Sequence, residues 1–278
     1  MNSTFAAVKR LTLAQSANLS EETEGLLARH NRYFCSVTAN TPELLEIAHA
    51  LRYQVYCLER KFEDPNEHAD GLETDAFDAH ALHGVLFHRP TDRPMGTVRM
   101  ILPDNSSPDC LPIVSLLRRS GEDLSRILNI SQCVEISRFA ISKEFRRRQS
   151  DNLDAAELAA LSRRQLIREG NLACLSLIQF LVRQSTERGI FYWAAVMEPK
   201  LLRMLANMGI YFTSVGSLVM HHGLRQPCYC HVPSMLESVA REHPDYWEVL
   251  TDGGRLARTL AERGSQSDAP VQPQFIWQ

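Results

Sequence analysis

The hydrophobic pattern of this chain centres on a nine-residue segment, Cys133–Ile141 (CVEISRFAI), in which two charged side chains interrupt an apolar run. The residues alternate with the two-residue period of a β-strand, which places Val134 and Ile136 on one face. Glu135 falls on the opposite face, and Arg138 on the face of Val134 and Ile136. Because unpaired buried charge is unfavourable, two interpretations stay open: an internal ion pair, or a catalytic carboxylate held by its own arginine.

Similar patterns predict the neighbouring elements. Residues 31–38 are rich in aromatic and β-branched residues, which favours a strand. Thr41 and Pro42 then begin a helix as its N-cap and first-turn residues, and Arg52 and Tyr56 lie four residues apart on it, so they can point the same way. Further segments predict strands at 82–89, 97–102 and 190–196 and an amphipathic helix at 171–188. This order predicts one mixed α/β domain around a central sheet.

Polarity suggests how the chain is divided. Residues 1–30 form a polar segment, 31–235 the main domain, 236–263 a helical extension, and 264–278 a tail with the composition of disordered chain. Residues 143–168 form a basic insertion, which is either a solvated helical surface or a docking patch for an acidic partner or phosphate. Its arginines include Arg146, Arg147, Arg148, Arg163, Arg164 and Arg168.

Composition narrows the class of protein. The 278 residues are 44% hydrophobic and 23% charged, and the net charge of −3 gives no overall field that favours nucleic acid. Seven cysteines, scattered mostly through apolar segments, are typical of a reduced, cytoplasmic protein. The N-terminus lacks the pattern of a signal peptide, and no apolar run approaches the roughly 20 residues that span a bilayer. We therefore expect a cytoplasmic protein with no integral membrane segment and no nucleic-acid partner.

Common catalytic and metal-binding motifs are missing. The chain has neither of the two common glycine-rich phosphate loops and no G-x-S-x-G. A histidine and cysteine group near the C-terminal end matches no common zinc module, so we expect no metal and interpret the thiols as strand-packing side chains. No cysteine stands out as a nucleophile. The members of the group are His221, His222, Cys228, Cys230 and His231.

Charged residues at strand and helix ends remain as candidates for chemistry. The acidic loop at 61–78 is expected to lie mostly in solvent, with its last two acids, Asp75 and Asp78, able to face the sheet. Arg99 interrupts an apolar strand, a position that is ordinarily an edge or a face. Each residue has an ordinary structural explanation when it is taken alone.

Taken in order, five short blocks resemble the acyl-homoserine-lactone synthases and their relatives, the N-acyl amino acid synthases, which are acyltransferases of the GNAT fold. The blocks are LRYQVYCLERKF with Arg52, Tyr56 and Phe62, ETDAFD with Asp75 and Asp78, GTVRMILP with Arg99, VEISRFAI with Glu135 and Arg138, and MEPKLLRMLANMGIYFTSVG.

Three departures refine the resemblance. Position 62 is Phe where lactone-forming enzymes usually carry Trp. The basic insertion and the C-terminal extension are similar to those of the acyltransferases that accompany PEP-CTERM/exosortase systems. The usual GNAT pyrophosphate loop is absent after Ile141, which favours a carrier-protein thioester over acetyl-CoA.

The resemblance implies a twisted sheet flanked by helices, no cofactor, acyl carrier protein as the acyl donor and a small-molecule amine as the acceptor. Glu135 would be the general base, and Arg138 and Arg99 would orient it and bind the carboxylate of the acceptor. The implied substrate-binding residues are Arg52, Tyr56, Phe62, Asp75 and Asp78, and the six arginines of the insertion would dock the carrier. The alternatives are an acyl-homoserine-lactone synthase that uses S-adenosylmethionine, and a non-catalytic acyl-binding module on the same scaffold.

Overall fold

An eight-stranded sheet forms the centre of the molecule in the computed structural model, which describes residues 24–104, 110–143, 163–220 and 223–264, with only the backbone at 163–170. The strand order is β1-β2-β3-β4-β5-β8-β6, with β7 paired to β8. Strands β4 and β5 are parallel and the other pairs are antiparallel. The strands are β1 (Phe34–Thr38), β2 (Ala81–His88), β3 (Arg93–Ile101), β4 (Cys133–Ile141), β5 (Tyr192–Met197), β6 (Thr213–Ser214), β7 (Val219–Met220) and β8 (Leu224–His231).

Helices cover both faces of this sheet. As the sequence predicted, Thr41 caps the second helix, accepting a hydrogen bond from the N–H of Leu44 at 3.3 Å, and Pro42 lies in its first turn. That helix continues into a π-helical segment, Tyr53–Glu59, a rare geometry that often occurs at functional sites. The α-helices are α1 (Leu26–Tyr33), α2 (Pro42–Arg52), α3 (Pro112–Arg119), α4 (Arg163–Arg188), α5 (Pro199–Ala206), α6 (Val232–Glu242), α7 (Pro244–Thr251) and α8 (Arg255–Gly264). The structure thus confirms the mixed α/β architecture.

The two faces of the sheet are packed by different helices. Helix α4 lies across one face and buries the main apolar core with Leu86, Met100 and Val134. Helices α2 and α3 lie on the other face, the α2 face, over smaller apolar clusters. The C-terminal helices α6 to α8 join the main core through residues such as Val239 and Leu256. No helix within the described ranges is long and apolar enough to cross a membrane.

Strands β4 and β5 separate soon after they begin. They pair only from Cys133 with Tyr192 to Glu135 with Ala194, although β4 continues to Ile141 and β5 to Met197. The two strands therefore diverge beyond Glu135 and leave a gap in the sheet, which we call the β4–β5 cleft. Backbone groups of β4 that would otherwise bond to β5 border this cleft.

A bulge in β4 corrects one prediction from the sequence. Thr97 pairs with Ala140, but Arg99 pairs with Ser137, so β4 has one residue more than β3 across this step. Arg138 is in this extra stretch and has a positive φ of 50°. A bulge changes the face to which later side chains point, so Arg138 does not point with Val134 and Ile136 as strict alternation predicts. Its guanidinium instead contacts acids on the α2 face.

Candidate active site

A cluster of ion pairs lies on the α2 face of the sheet. We call it the charged network; its members are Arg52, Glu73, Asp75, Asp78, Arg99 and Arg138. Arg52 is fully buried at the end of α2, and its Nε donates to Glu73 at 2.5 Å while its Nη1 donates to Asp78 at 2.7 Å. These contacts bring Arg52 next to Asp78, one of the two aspartates identified from the sequence.

Arg99 joins the two predicted aspartates. Its Nη1 donates to Asp75 and to Asp78, both at 2.6 Å, and its Nε donates to the hydroxyl of Ser137 at 2.9 Å. Its guanidinium is 2% exposed. Hydrogen bonds between ionised groups at such distances are among the stronger contacts in proteins, so Arg99 is held firmly rather than lying at an exposed sheet edge.

Arg138 uses its bulged position to reach the same acids. Its Nε and Nη2 donate to the two oxygens of Glu73 at 3.0 and 2.9 Å, a bidentate pair. Longer contacts join Nη2 to Glu63 at 3.3 Å and to Asp75 at 3.5 Å. The guanidinium also lies over the ring of Tyr56, 5.1 Å from its centre.

Local sequence explains why the two aspartates are spaced three apart. Asp75 accepts a hydrogen bond from the N–H of Phe77 at 2.9 Å, and Asp78 accepts one from the N–H of Asp75 at 2.8 Å. Together they cap the 3₁₀ turn Ala76–His80 in a reciprocal capping box. Asp78 thus fixes the turn with Oδ2 and binds arginines with Oδ1. Asp75 uses Oδ1 both for the turn and for Arg99.

Glu73 is the network member that the sequence analysis missed. It was grouped with the solvent-facing acids of the loop, yet it is 1% exposed and bridges Arg52 and Arg138. Burial alone would raise the pKa of Glu73, but the hydrogen bonds and charges of the two arginines outweigh it and lower the pKa to about 2. Counting charges would have found it, since three inward-facing arginines require more than two inward-facing aspartates.

Glu135 lies beside the network without belonging to it. Its Oε2 accepts a hydrogen bond from the N–H of Ile113, in the first turn of α3, at 2.7 Å. Burial raises the pKa of Glu135 to about 7, and the Ile113 N–H and the charges of Arg99 and Arg138 only partly offset it. The direct ion pair with Arg138 that the sequence suggested is not formed, because Arg138 binds Glu73 instead. A carboxyl with a pKa near 7 can act as a general base at neutral pH.

Two histidines lie close to Asp78. Among the described residues, these three side chains have their potential ligand atoms close enough together to hold a metal ion. The Nε2 atoms of His49 and His83 lie 3.9 and 3.6 Å from Asp78 oxygens. Burial lowers the pKa of both histidines, that of His83 to about 4, so both rings are neutral at pH 7. However, Asp78 already accepts from Arg52, Arg99 and the backbone. A cation there would lie next to two guanidinium groups, so this set favours a positioning role over metal binding.

The thiols near Glu135 have the wrong electrostatics for a nucleophile. Cys133 and Cys228 are buried, and burial together with the charge of Glu135 raises the pKa of both, that of Cys228 to about 12. A reactive cysteine instead requires a lowered pKa and electropositive surroundings. These side chains pack the sheet.

The aromatic pair predicted to bind substrate lies at the outer part of β4. The hydroxyl of Tyr56 is 3.5 Å from the carbonyl oxygen of Phe139. The rings of Tyr56 and Phe62 are 6.2 Å apart, and the guanidinium of Arg225 lies 5.0 Å from the centre of the Phe62 ring. Both rings therefore border the β4–β5 cleft.

The predicted docking arginines fall where the structure gives no side-chain positions. Arg146, Arg147 and Arg148 lie outside the described residues. Arg163, Arg164 and Arg168 lie in the first part of α4, where only the backbone is described. Their role stays a prediction.

A surface cleft of about 780 Å³ lies elsewhere, along the open edge of β1, and is lined in part by Cys35, Leu44, Phe87 and Arg183. Strands β2 and β3 separate β1 from β4, and the lining of this surface cleft includes no member of the charged network. We therefore place the candidate site at the network and the β4–β5 cleft instead.

A match to a known family covers this part of the chain. Residues 51–154 match the sequence model of the acetyltransferase (GNAT) domain family, and every member of the charged network lies within that range. No curated protein matches the chain at a significant level. The structure of TofI in complex with an inhibitor and MTA aligns with a TM-score of 0.50 and 16% identity, covering 73% of this chain and 95% of TofI.

Two further solved structures align with lower scores. FeeM, an N-acyl amino acid synthase from uncultured soil microbes, aligns with a TM-score of 0.49 and 17% identity, covering 74% of this chain and 95% of FeeM. BjaI, a CoA-dependent acyl-homoserine lactone synthase with SAM and isopentyl-CoA, aligns with a TM-score of 0.47 and 17% identity, covering 84% of this chain and 99% of BjaI. The domain match and the TofI alignment confirm the predicted GNAT-like fold, and the domain match supports an acyltransferase.

Proposed function

We propose that this protein is an N-acyltransferase that moves a long-chain acyl group from an acyl carrier protein thioester to the α-amine of an amino acid. The observation that carries the proposal is the position of Glu135. This buried carboxyl, with a pKa near 7, lies at the last residue pair before β4 and β5 separate. This position at the inner end of an open backbone cleft supports a role for Glu135 as the general base.

The reaction is a direct transfer. The amine nitrogen attacks the thioester carbon, Glu135 takes a proton from the nitrogen directly or through one water, the C–N bond forms, and the C–S bond breaks. The protonated Glu135 then gives this proton to the leaving thiolate, which regenerates the base. Backbone N–H groups of β4 that border the cleft would stabilise the oxyanion. Since burial raises the pKa of Cys133 and Cys228, the thiols near Glu135 are not activated, and the proposed transfer needs no acyl-enzyme.

Asp75 is the network residue best placed to hold the acceptor amine. Its side chain is 28% exposed, against 2% for Glu73 and 13% for Asp78. Arg99 and Arg138 would fix Asp75 rather than bind the acceptor's carboxylate, because their donors already contact internal acids. This proposal changes the roles that the resemblance implied for the two arginines.

The choice of carrier protein as donor rests on the basic insertion. Acyl carrier proteins are acidic, so the six arginines would attract them over a distance that added salt shortens. We expect the Michaelis constant for the carrier to rise between low and physiological ionic strength. A constant that does not change with salt would contradict this docking patch but leave the acyl transfer itself intact.

Mass spectrometry of lipid extracts tests the proposal. Cells expressing the wild type should contain N-acyl amino acids that are absent with Glu135→Gln. The matched control is Glu46→Gln, since Glu46 is an exposed acid on α2, and this variant should match the wild type. Acyl-homoserine lactones in place of N-acyl amino acids would identify the S-adenosylmethionine-dependent reaction, and extracts identical for all three proteins would refute catalysis by Glu135.

The pH dependence provides a second test. A general base works when it is deprotonated, so kcat/KM should rise through pH 7 as Glu135 ionises and then level off, apart from the separate ionisation of the acceptor amine. Glu135→Gln should lower kcat about 10²- to 10⁴-fold and remove the part of the profile centred near pH 7. A variant that keeps this part would show that another group is the base.

A further inference from the structure

A chain of contacts crosses the outer end of the β4–β5 cleft. If the pairing of β4 with β5 continued in the register of Glu135 with Ala194, Phe139 would lie opposite Glu198. Instead, Tyr56 contacts the Phe139 carbonyl, and Glu198, which directly follows β5, binds Arg225.

Phe62 connects these two sides. Its ring lies 6.2 Å from that of Tyr56 on the β4 side, and the Arg225 guanidinium lies 5.0 Å from its centre on the β5 side. The chain of contacts therefore runs from Tyr56 through Phe62 and Arg225 to Glu198; we call these four residues the strap. Its β4 end is fixed to the charged network, since Arg138 lies over the Tyr56 ring.

The contacts of Arg225 are looser than those of the network arginines. Its Nη2 lies 3.4 Å from Glu198, and its Nη1 lies 3.3 Å from the carbonyl oxygen of Leu224. Arg138, which holds the network end of the strap through the Tyr56 ring, donates to Glu73 at 2.9 and 3.0 Å. Because short charge-assisted hydrogen bonds are the stronger ones, the Arg225 end of the strap separates more easily than the network end.

We propose that Arg225 is a positioning residue that closes the strap over the bound thioester and so selects the amine over water as the nucleophile. The inference rests on the proposed acyl transfer. When the strap is open, the thioester arm enters the cleft, and Arg225 then returns to Phe62 and Glu198. In aminolysis, nitrogen bonds to the acyl carbon and the C–S bond breaks. In hydrolysis, a water oxygen forms the new bond, the same C–S bond breaks, and a free fatty acid and a thiol result.

The ratio of these two products tests the strap. Purified full-length protein is mixed with an acyl carrier protein thioester and an amino acid, and N-acyl product and free fatty acid are both measured. Arg225→Gln should raise the ratio of fatty acid to N-acyl product roughly two- to tenfold, the fold-change expected from losing one cation–π contact and one loose ion pair. Glu198→Gln should raise it less, since Phe62 still holds the guanidinium. The control Arg241→Gln removes an arginine that is 68% exposed and should leave the ratio unchanged.

A product ratio in Arg225→Gln equal to that of an active wild type overturns the strap and leaves the acyl transfer standing. If the wild type forms no N-acyl product with any amine, the proposed function fails. Fluorescence quenching, which needs no turnover, then tests whether Arg225 covers residue 62. In Phe62→Trp, the indole under Arg225 should be shielded from acrylamide. Adding Arg225→Gln should increase quenching of that tryptophan relative to adding Arg241→Gln, and equal quenching in the two double variants overturns the strap.

Discussion

The two faces of the sheet are stabilised in different ways. On the α4 face, β2, β3 and β4 present Leu86, Met100 and Val134, which are fully buried in one apolar core. On the α2 face, the neighbouring positions present His83, Arg99 and Glu135, which are also almost fully buried. One face is stabilised by packing, which tolerates small changes. The other depends on charges that each require a partner.

This difference explains why we place the candidate site on the α2 face. Unpaired buried charge costs several kcal/mol per group, so a fold keeps a buried ionic layer only where every arginine is matched or where function needs it. Within the charged network each arginine contacts at least two acids or hydroxyls. Glu135 stands apart, with a backbone N–H as its hydrogen-bond partner and a raised pKa. In the proposed reaction, the network would provide rigidity and Glu135 would be the reactive group.

The largest effect on stability should come from removing the acid that bridges two arginines. Glu73→Gln leaves Arg52 and Arg138 without their shared carboxylate, and breaking a buried pair costs roughly 3–5 kcal/mol. Urea denaturation measures the free energy of unfolding. The control Glu46→Gln, at an exposed position on α2, should change it by about 0.5 kcal/mol or less. A loss below about 1 kcal/mol for Glu73→Gln would mean that the network contributes no more than a surface ion pair.

The pH dependence of the free energy of unfolding tests whether His83, on the α2 face, is buried in its neutral form. The folded-state pKa of His83 is lowered to about 4, so the unfolded chain binds its proton first as the pH falls. Stability from this group is therefore fully present above about pH 6.5 and is lost progressively toward pH 4, by roughly 3 kcal/mol in total. His83→Gln, which does not titrate, should be less sensitive to acid over that window. His68→Gln, at a partly exposed loop position, is the control and should follow the wild type; equal slopes for all three would contradict a buried neutral His83.

Overpacking the core on the α4 face should lower the free energy of unfolding less than Glu73→Gln does, and a second substitution should partly restore it. A Cβ added to Gly84 would lie 2.7 Å from the Phe180 ring, and overpacking a core typically costs about 1–3 kcal/mol. Gly84→Ala should lower the free energy of unfolding by that amount. Combining it with Phe180→Leu should cost less than the sum of the two single changes, because the smaller side chain makes room. Strict additivity would show that the clash is relieved elsewhere.

The apolar α4 face was easier to predict from the sequence than the charged α2 face. Periodicity located most strands of the sheet and the helices that cover it, because the apolar faces are continuous in sequence. The strand predicted at 31–38 was wrong at its start, since residues 31–33 end α1 and β1 begins at Phe34. Short motifs identified Arg52, Asp75, Asp78 and Arg99 as candidates, but the pairing of Arg99 with both aspartates was not predicted. Two further features were not predicted either. The bulge that turns Arg138 depends on the register between β3 and β4, and the burial of Glu73 depends on how the acidic loop folds back; both are tertiary facts that no local pattern contains.

The smallest expected effect concerns Cys133, one of the two buried thiols near Glu135. Cys133 is two residues before Glu135, and both lie on the α2 face. Burial raises the thiol's pKa far above neutrality, so the thiol is protonated and is a poor nucleophile. If transfer is direct, Cys133→Ala should keep kcat within about threefold of the wild type, the change that a core difference of roughly 0.7 kcal/mol produces. Intact-protein mass spectrometry during turnover should also show no acyl adduct on either protein. An adduct on the wild type that Cys133→Ala lacks would transfer the chemistry from the carboxylate to the thiol, and the separation between a rigid charged network and a single reactive carboxyl would no longer describe this face.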